Sequence, residues 1–351
     1  MSTARWRQWH KLLGLWLGLL LLLVALSGLV LVFKQDLIEL NLPAAEAANP
    51  APAYSVDHLA KGLQQVLQHH AIADVFYLKT PTQGRQYWWL VTHSDKVFLF
   101  DSSGAPVVDR WRMLPIMYWL TEFHTEMLIH DGGSVLVTLL GVGCLVLMVA
   151  GLISWWPGRR GFQLRHLWLW PSRRGLALRQ HRAVAVICLP LLLLSVITGA
   201  GMSVQGALQL LLKPKPAAAA APATNSASYT FEASQLDTLL RNAQQQLPQG
   251  QITMMALPSA ASPQLRLRFR GADEWHVNGK TNMLMDTASG AIKVQHVNDA
   301  STGRKILNTF YPLHASYGLP ALYKALIAVT GLLTVWLGIL GLLAWLRRRS
   351  S

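Results

Sequence analysis

Four histidines occupy matching positions in the two halves of this chain. His10 and His181 each begin an apolar run, in the stretches "HKLLGLWLGLLLLLVALSG" and "HRAVAVICLPLLLLSVITG". His124 precedes Gly141 and Gly151 at the same spacings at which His314 precedes Gly331 and Gly341. Side chains that recur at duplicated positions are expected to perform the same chemistry twice.

That chemistry is axial coordination of a haem iron. Two imidazoles that converge from opposite helices supply the two protein ligands that a six-coordinate haem iron takes. We therefore predict two haem b groups, one between His10 and His181 and one between His124 and His314. A helix from His10 to Gly28 would cross most of a bilayer core, which sets the two sites near opposite membrane faces.

Other readings of the histidines stay open. A histidine at a helix end also extends towards the lipid headgroups, as tryptophan and lysine do. His130 is a rival ligand because it lies closer than His124 to the second apolar run, although its counterpart in the second half is Pro320. A supporting or substrate-side role suits His130 better. The remaining histidines fall in polar segments and are expected to be solvated or structural: His58, His69, His70, His93, His166, His276 and His296.

The elements that position these histidines are membrane spans. Runs of about 20 apolar residues cross a bilayer, and the backbone within lipid must be helical. The predicted transmembrane helices are 12–33, 134–156, 183–204 and 321–346. His124 is too far from the end of the second run for one helix, so breaks are expected at Gly132-Gly133 and at the matching Pro320. The first run is too long for a signal peptide and is interpreted as a retained anchor.

Glycines recur along these runs. Small residues in membrane helices allow close packing of helices. They would also let a porphyrin approach the backbone. The glycines concerned are Gly14, Gly18, Gly28, Gly141, Gly143, Gly151, Gly199, Gly331, Gly338 and Gly341.

Charge predicts the orientation in the membrane. Segments 1–11, 157–182 and 347–351 contain arginine and lysine but no aspartate or glutamate, so the positive-inside rule places them in the cytoplasm. Segments 34–133 and 205–320 are then expected on the opposite, periplasmic side, and the protein is expected to be a multi-pass membrane protein. The net charge of +14 flanks the spans, which argues against nucleic acid as a partner. Cys144 and Cys188 lie within spans, and no CxxCH motif for covalent haem attachment is present.

The two exported segments predict a repeated fold. Each has an amphipathic helical stretch, then alternating strands and a turn such as "FDSSGAPVV" or "MDTASGAIKV". The predicted fold is an α-helical four-helix transmembrane bundle with two small α+β periplasmic domains, built by parallel duplication about an axis along the membrane normal. Pro/Ala-rich spacers at 43–53 and 213–228 link spans to these domains.

The order of the motifs resembles the PepSY-associated transmembrane family of bacterial inner-membrane proteins. The matching stretches are "WHKLLGLWLGLLLLLVALSGLVLVF", "FDSSGAPVV", "EFHTEMLIHDGG", "AGLISWWPGRRGF" and "PLHASYGLP". The resemblance implies a PepSY-like module in each half and a link to iron acquisition. Some members resemble di-haem ferric-siderophore reductases, such as those of the ferrioxamine and ferripyoverdine systems. The family's recurrent histidines match His10, His124, His181 and His314. The third run departs from the family in lacking a glycine soon after its histidine. The pair His130-Asp131 also departs, because it stands where the family commonly has glycine and a polar residue.

These observations predict a ferric-siderophore reductase. Electrons would cross the membrane and reduce siderophore-bound iron in the periplasm, which releases Fe(II). The cytoplasmic loop is too short for a nicotinamide or flavin fold, so the donor is a quinol or a separate cytoplasmic reductase. The substrate would dock near five aromatic residues, which also suit core or interface positions: Trp88, Trp89, Trp111, Tyr118 and Trp119. Two alternatives remain: a haem-free membrane scaffold that binds a periplasmic partner, and a di-haem cytochrome that feeds a periplasmic redox protein.

Overall fold

The computed structural model describes residues 2–42, 54–82, 85–168, 170–212, 233–259, 262–287 and 289–347. Both predicted spacers, 43–53 and 213–228, lie outside the described residues, as does most of the predicted C-terminal segment 347–351. The chain divides into two compact units. The helical unit comprises Met1–Phe33, Met117–Pro214 and Leu313–Ser351, and the sheet unit comprises Lys34–Ile116 and Lys215–Pro312.

Each half of the chain contains helices, then four strands, then further helices. The α-helices are α1 (Thr3–Trp16), α2 (Gly18–Leu31), α3 (Lys34–Glu39), α4 (Val56–Leu67), α5 (Met113–Glu126), α6 (Gly133–Trp155), α7 (Arg174–Leu212), α8 (Ala233–Gln246), α9 (Thr302–Ala315) and α10 (Ala321–Leu346). The strands are β1 (Val75–Lys79), β2 (Trp88–Thr92), β3 (Val97–Phe100), β4 (Pro106–Val107), β5 (Gln251–Ala256), β6 (Gln264–Arg270), β7 (Thr281–Asp286) and β8 (Ile292–Gln295).

Among the described residues, three helical segments are long and apolar enough to span a membrane. They are Gly133–Gly161, Arg174–Gln205 and Ala321–Leu346, which contain the spans predicted from residues 134, 183 and 321. Large apolar side chains remain exposed along one face of these helices, for example Leu139, Val149 and Leu326, as expected where the surrounding solvent is lipid. The protein is a multi-pass helical membrane protein.

The first predicted span, 12–33, is not one straight helix. The chain breaks at Leu17, and α1 and α2 meet at an angle of 62°. The pair counts as a fourth span only if both helices together cross the membrane. The run is apolar on both sides of the break, so its hydropathy carried no sign of the bend. Within the unit α1 packs on α6, whereas α2 packs mainly on α10.

The predicted helix breaks are present where the sequence placed them. Gly132 has a φ of +97°, which favours glycine, and α6 begins at the next residue. A Cβ atom at Gly133 would lie 2.0 Å from the carbonyl oxygen of Glu126, so this close approach also requires glycine. Pro320 precedes the first residue of α10. These breaks leave His124 and His314 on separate short helices, α5 and α9.

The two segments predicted to be periplasmic form one sheet instead of the two domains expected. The eight antiparallel strands are ordered β4-β3-β2-β1-β5-β6-β7-β8, so each half contributes a four-stranded meander. The meanders join where β1 pairs with β5, at Leu78↔Met255 and Lys79↔Met254. This pairing removes two free strand edges, which would otherwise present unpaired backbone groups. Alternation of polar and apolar residues predicts a strand but not its partner, which explains the error.

Helices α4 and α8 cover one face of this sheet and contact each other. Their apolar side chains pack with alternate strand residues to form a single core, in which Leu63, Leu240 and Leu78 are fully buried. The opposite face contains the remaining alternate residues, including Lys79 and Arg268.

Candidate functional site

The four predicted ligands lie on four different helices. His10 is on α1, His124 on α5, His181 on α7 and His314 on α9. They form two pairs within the helical unit: the ring centres of His10 and His181 are 6.3 Å apart, and those of His124 and His314 are 6.0 Å apart. These are the pairs that the sequence pattern predicts. Their role as ligands stays a prediction.

Each histidine contacts a backbone carbonyl of a neighbouring helix through Nδ1. The contacts are His10 to Leu147 at 2.9 Å, His181 to Leu337 at 3.2 Å, His124 to Val24 at 3.0 Å and His314 to Ser195 at 2.9 Å. A carbonyl oxygen only accepts hydrogen bonds, so Nδ1 carries the proton in every case. The lone pair is then on Nε2, which is the tautomer that binds a metal through Nε2.

A glycine one helical turn after each of these carbonyls lies against the imidazole. A Cβ atom added at Gly28, Gly151 or Gly199 would lie 2.8, 2.8 and 2.6 Å, respectively, from the Cε1 atom of its histidine. The fourth glycine, Gly341, is less crowded, with 3.9 Å to His181. The glycines therefore let the imidazole rings approach the helix backbone. The spacing of these glycines is visible in the sequence, where it predicts contact with another helix or with a porphyrin but not with histidine.

Other glycines of the spans do serve helix packing. A Cβ atom at Gly141 would lie 2.8 Å from Ala200, and one at Gly143 would lie 2.6 Å from Leu17. Gly338 is similarly close to a leucine of α2. The expectation of close helix approach is met at these positions.

Hydroxyl groups lie within hydrogen-bond distance of both histidines of the second pair. The Oγ of Ser27 is 3.0 Å from Nδ1 of His124, and the Oγ1 of Thr198 is 3.4 Å from Nδ1 of His314. Each hydroxyl donates to a carbonyl of its own helix. Burial, with repulsion from His314, lowers the pKa of His124 to about 4, and burial also lowers the pKa of His314. Both imidazoles are therefore neutral near pH 7.

The spacing within each pair suits one metal ion between two imidazoles. A ring with bonds of about 1.35 Å places each nitrogen about 1.1 Å from the ring centre. With metal–nitrogen bonds of about 2 Å on each side, two coaxial imidazoles have ring centres about 6.2 Å apart. The observed 6.3 and 6.0 Å agree with this value. Across the described residues no group of three or more His, Cys, Asp or Glu side chains could hold a metal ion.

Helix α7 runs past both pairs. It contains His181 of the first pair, and it also contains Ser195 and Gly199, which contact His314 of the second. An α-helix rises about 1.5 Å per residue, which places His181 and Ser195 about 21 Å apart along the helix axis. The sequence predicted the separation of the two pairs from a straight helix between His10 and Gly28. The structure does not provide that helix, because α1 and α2 meet at an angle.

His130 does not join either pair. It is exposed in the turn between α5 and α6. Its neighbour Glu126 has a pKa that is raised by burial and by the charge of Glu122. The geometry therefore gives no support to His130 as a rival axial ligand.

The predicted aromatic docking residues have different environments. Trp88 is fully buried in the core of the sheet unit, where its indole N–H donates to the carbonyl of Ser102. Trp88 is therefore unavailable to a substrate. Trp89 is half-buried, and the other three, Trp111, Tyr118 and Trp119, are exposed.

Comparison with known proteins identifies the family. A search of curated proteins returns no match. A family model described as the PepSY-associated TM region matches residues 7–348, which include all four paired histidines and both units. The protein is thus a member of the PepSY-associated transmembrane family.

Proposed function

We propose that this protein is a b-type di-haem reductase of the bacterial inner membrane that reduces ferric siderophores in the periplasm and releases Fe(II). One haem would be held by His10 and His181, and the other by His124 and His314. Haem iron with two imidazole ligands supplies one-electron transfer. The observation that carries the proposal is the pair of ring-centre distances, 6.3 and 6.0 Å, with Nε2 left as the free nitrogen in all four histidines.

The contacts of the chain itself support the proposal. Backbone carbonyls fix the tautomer and the orientation of each ring, as outer-shell partners of metal ligands do. Carbonyls cannot rotate away from a helix, so the imidazoles are held before any metal arrives. The rise of about 21 Å along α7 separates the two pairs by much of the thickness of a bilayer core.

A shared origin of the two halves is part of the proposal. The contacts of His10 with Leu147 and Gly151 correspond to those of His181 with Leu337 and Gly341. The contacts of His124 with α2 correspond in the same way to those of His314 with α7. Recurrence of these contact sets supports a parallel duplication. The absence of acidic residues from segments 1–11 and 347–351 supports a cytoplasmic position of both termini.

The reaction needs a donor and an acceptor outside this chain. Each Fe(III) takes one electron to become Fe(II), which hard siderophore oxygens bind less tightly. The electron comes from a quinol or from a cytoplasmic reductase. A di-haem cytochrome that serves a periplasmic redox protein would use the same four histidines, whereas a haem-free scaffold would need none of them.

Optical spectra of purified protein test the haem assignment. Wild-type protein is expected to contain two haems per chain, with split Soret and α bands after reduction by dithionite. His10→Ala and His181→Ala should each lose the same haem, and His124→Ala and His314→Ala the other. His130→Ala is the matched control and should keep both. Colourless protein after expression with ample haem would exclude both electron-transfer functions, and loss of different haems within a pair would refute the pairing.

Stopped-flow oxidation separates the reductase from the cytochrome. Dithionite-reduced protein, freed of excess reductant, is mixed with ferrioxamine in the presence of a ferrous-iron chelator. A reductase reoxidises rapidly and yields one ferrous chelate for each electron lost. Reoxidation no faster than in buffer would refute siderophore reduction and leave the cytochrome function.

A further inference from the structure

A row of long polar and aromatic side chains crosses the face of the sheet that lies opposite α4 and α8. The strand register aligns Trp89 with Lys79, Lys79 with Met254, and Met254 with Arg268. Arg268 in turn aligns with Asn282 of β7. Side chains directly opposite each other in a sheet project to the same face, so five strands contribute to one row. All five side chains are half-buried.

Positive charge is concentrated in this row. The Lys79 ammonium lies 5.5 Å from the centre of the Trp89 ring, and the Lys34 ammonium lies 6.0 Å from the same ring. Arg268 donates to the amide oxygen of Asn282 and to the sulfur of Met254. Within the described part of the chain, neither Lys79 nor Arg268 forms an ion pair.

The carboxylate of Glu274 is held by backbone donors. Its two oxygens accept the N–H groups of Gly271 and Lys280. Burial lowers the pKa of Arg268, and the charge of Glu274 offsets only part of this effect. Burial and the neighbouring cations Arg85, Lys34 and Arg268 lower the pKa of Lys79 to about 7. Cations that are crowded together in this way favour an added anion, because an opposite charge nearby relieves both repulsion and desolvation.

His276 adds a neutral donor beside the row. Its Nδ1 accepts the backbone N–H of Asn278, so the proton is on Nε2. Burial lowers the pKa of His276 to about 3, and repulsion from Lys280, Arg268, Arg270 and Lys79 adds to this effect. The imidazole therefore stays uncharged and can donate one hydrogen bond.

We propose that this row binds a ligand through oxyanion groups, either carboxylate or phosphate, held between Lys79 and Arg268. Arginine and lysine are the side chains that recognise such groups through charge-assisted hydrogen bonds. Trp89 and Met254 provide apolar contacts for the carbon atoms of the ligand. The shared chemistry fits two sources, a soluble polycarboxylate or phosphate and the headgroup of an anionic lipid. The proposal does not depend on haem.

Calorimetric titration of the full-length protein in neutral detergent tests the site. The soluble probes are citrate and inorganic phosphate at low ionic strength. The lipid probe is phosphatidylglycerol added to the micelles, measured directly and as a competitor of citrate. Lys79→Met and Arg268→Met should each weaken binding about tenfold or more, the expected effect of losing a charge-assisted hydrogen bond. Lys61→Met removes an exposed cation from α4 on the other side of the sheet and should bind as wild type does.

Each outcome bears directly on the proposal. Saturable binding of citrate or phosphate that Lys79→Met weakens identifies a soluble anion site. Binding of phosphatidylglycerol alone, with the same dependence on Lys79, identifies a headgroup site. Lys79→Arg keeps the charge and should retain binding, which separates loss of charge from misfolding. Absence of saturable binding of all three probes, or equal affinities of Lys79→Met and Lys61→Met, would overturn the proposal. Haem content, measured on the same samples, reports on the proposed function separately.

Discussion

In the candidate site each histidine imidazole packs against a glycine of a neighbouring helix. In three of the four cases there is no room for a Cβ atom on the glycine without moving the histidine ring. The imidazole donates its hydrogen bond to the backbone carbonyl that lies one turn before the glycine. The carbonyl of residue i − 4 and residue i lie on the same face of that helix. The position of Nε2 is thereby set by the backbone of one neighbouring helix, through its carbonyl oxygen and its glycine.

Gly151→Val should therefore displace His10. Its Cβ atom would lie 2.8 Å from Cε1 of His10, so the ring must move and lose its bond to the carbonyl of Leu147. We expect loss of one haem per chain, the same haem that His10→Ala loses, in a pyridine haemochrome assay. Gly18→Val is the control because nothing lies within 4 Å of its Cβ position. Full haem content in Gly151→Val would contradict the role of this contact.

Lys79 should make the folded protein less stable near neutral pH. Its pKa falls from an ordinary 10.5 to about 7 on folding, so between these values the unfolded chain binds more protons than the folded chain. The penalty is complete below pH 7 and disappears as pH rises to about 10.5. In the absence of added anions Lys79→Met should raise the free energy of unfolding by about 4 kcal/mol at pH 7, and by little near pH 10.

Thermal unfolding followed by tryptophan fluorescence measures this effect. The melting temperature of Lys79→Met should exceed that of wild type at pH 7, and the two curves should converge by pH 10. Lys61→Met should follow wild type at both values. A difference that is the same at pH 7 and pH 10 would show that titration of Lys79 is not its cause.

At the scale of elements, the join between β1 and β5 makes one sheet of two meanders. Only two residue pairs form this part of the ladder. Thr80 extends it, with its N–H donating to Thr253 and its hydroxyl donating to Ile252. Arg85 is buried beside the join and donates to the carbonyls of Thr80 and Thr253 and to the side chain of Asn278. A single guanidinium thus links residues from both halves.

Arg85→Leu should weaken the sheet unit. The buried carbonyls of Thr80 and Thr253 would lose a charged donor, and a loss of about 3 kcal/mol in the free energy of unfolding is expected. Urea denaturation of the full-length protein, followed by tryptophan fluorescence, measures the change. Arg266→Leu on β6 is the matched control, because Arg266 is exposed and its loss should cost less than about 0.5 kcal/mol. Equal midpoints for the two variants would contradict a joining role for Arg85.

At the scale of the whole molecule, charge asymmetry predicts the orientation of the chain in the membrane. The segments without acidic residues lie at both ends and between α6 and α7, and every acidic residue lies in the two remaining segments. Loop asymmetry of this kind sets topology during insertion. This predicts that the sheet unit is periplasmic and that the turn before α7 is cytoplasmic.

Cysteine labelling in spheroplasts tests this orientation. Ser94→Cys, exposed in the sheet unit, should react with a membrane-impermeant maleimide in intact spheroplasts. Ser172→Cys, exposed before α7, should react only after lysis. The unaltered chain reports any reaction of the two free cysteines, Cys144 and Cys188. Labelling of Ser172→Cys before lysis, with protection of Ser94→Cys, would show that the orientation is the reverse of the predicted one.

Much of this protein was predictable because its strongest signals are local. Apolar runs predicted three of the spans closely, and glycine and proline predicted the starts of α6 and α10. The repeat predicted which histidines would pair, because equal spacing in both halves needs no knowledge of the fold. The glycine after Ser27 and the one after Thr198 were also visible, but their contact with histidine was not.

Tertiary structure decided what depends on distant partners. The bend at Leu17 lies within an unbroken apolar run, so only packing of α1 on α6 and of α2 on α10 distinguishes its two parts. Strand alternation indicated two α+β domains, but the pairing of Lys79 with Met254 made them one sheet. That pairing also placed Lys79 in one row with Arg268, which comes from the other half of the chain. Hydropathy and spacing report each segment's own preferences, whereas the partner of a strand edge or of an imidazole is fixed only when the chain packs.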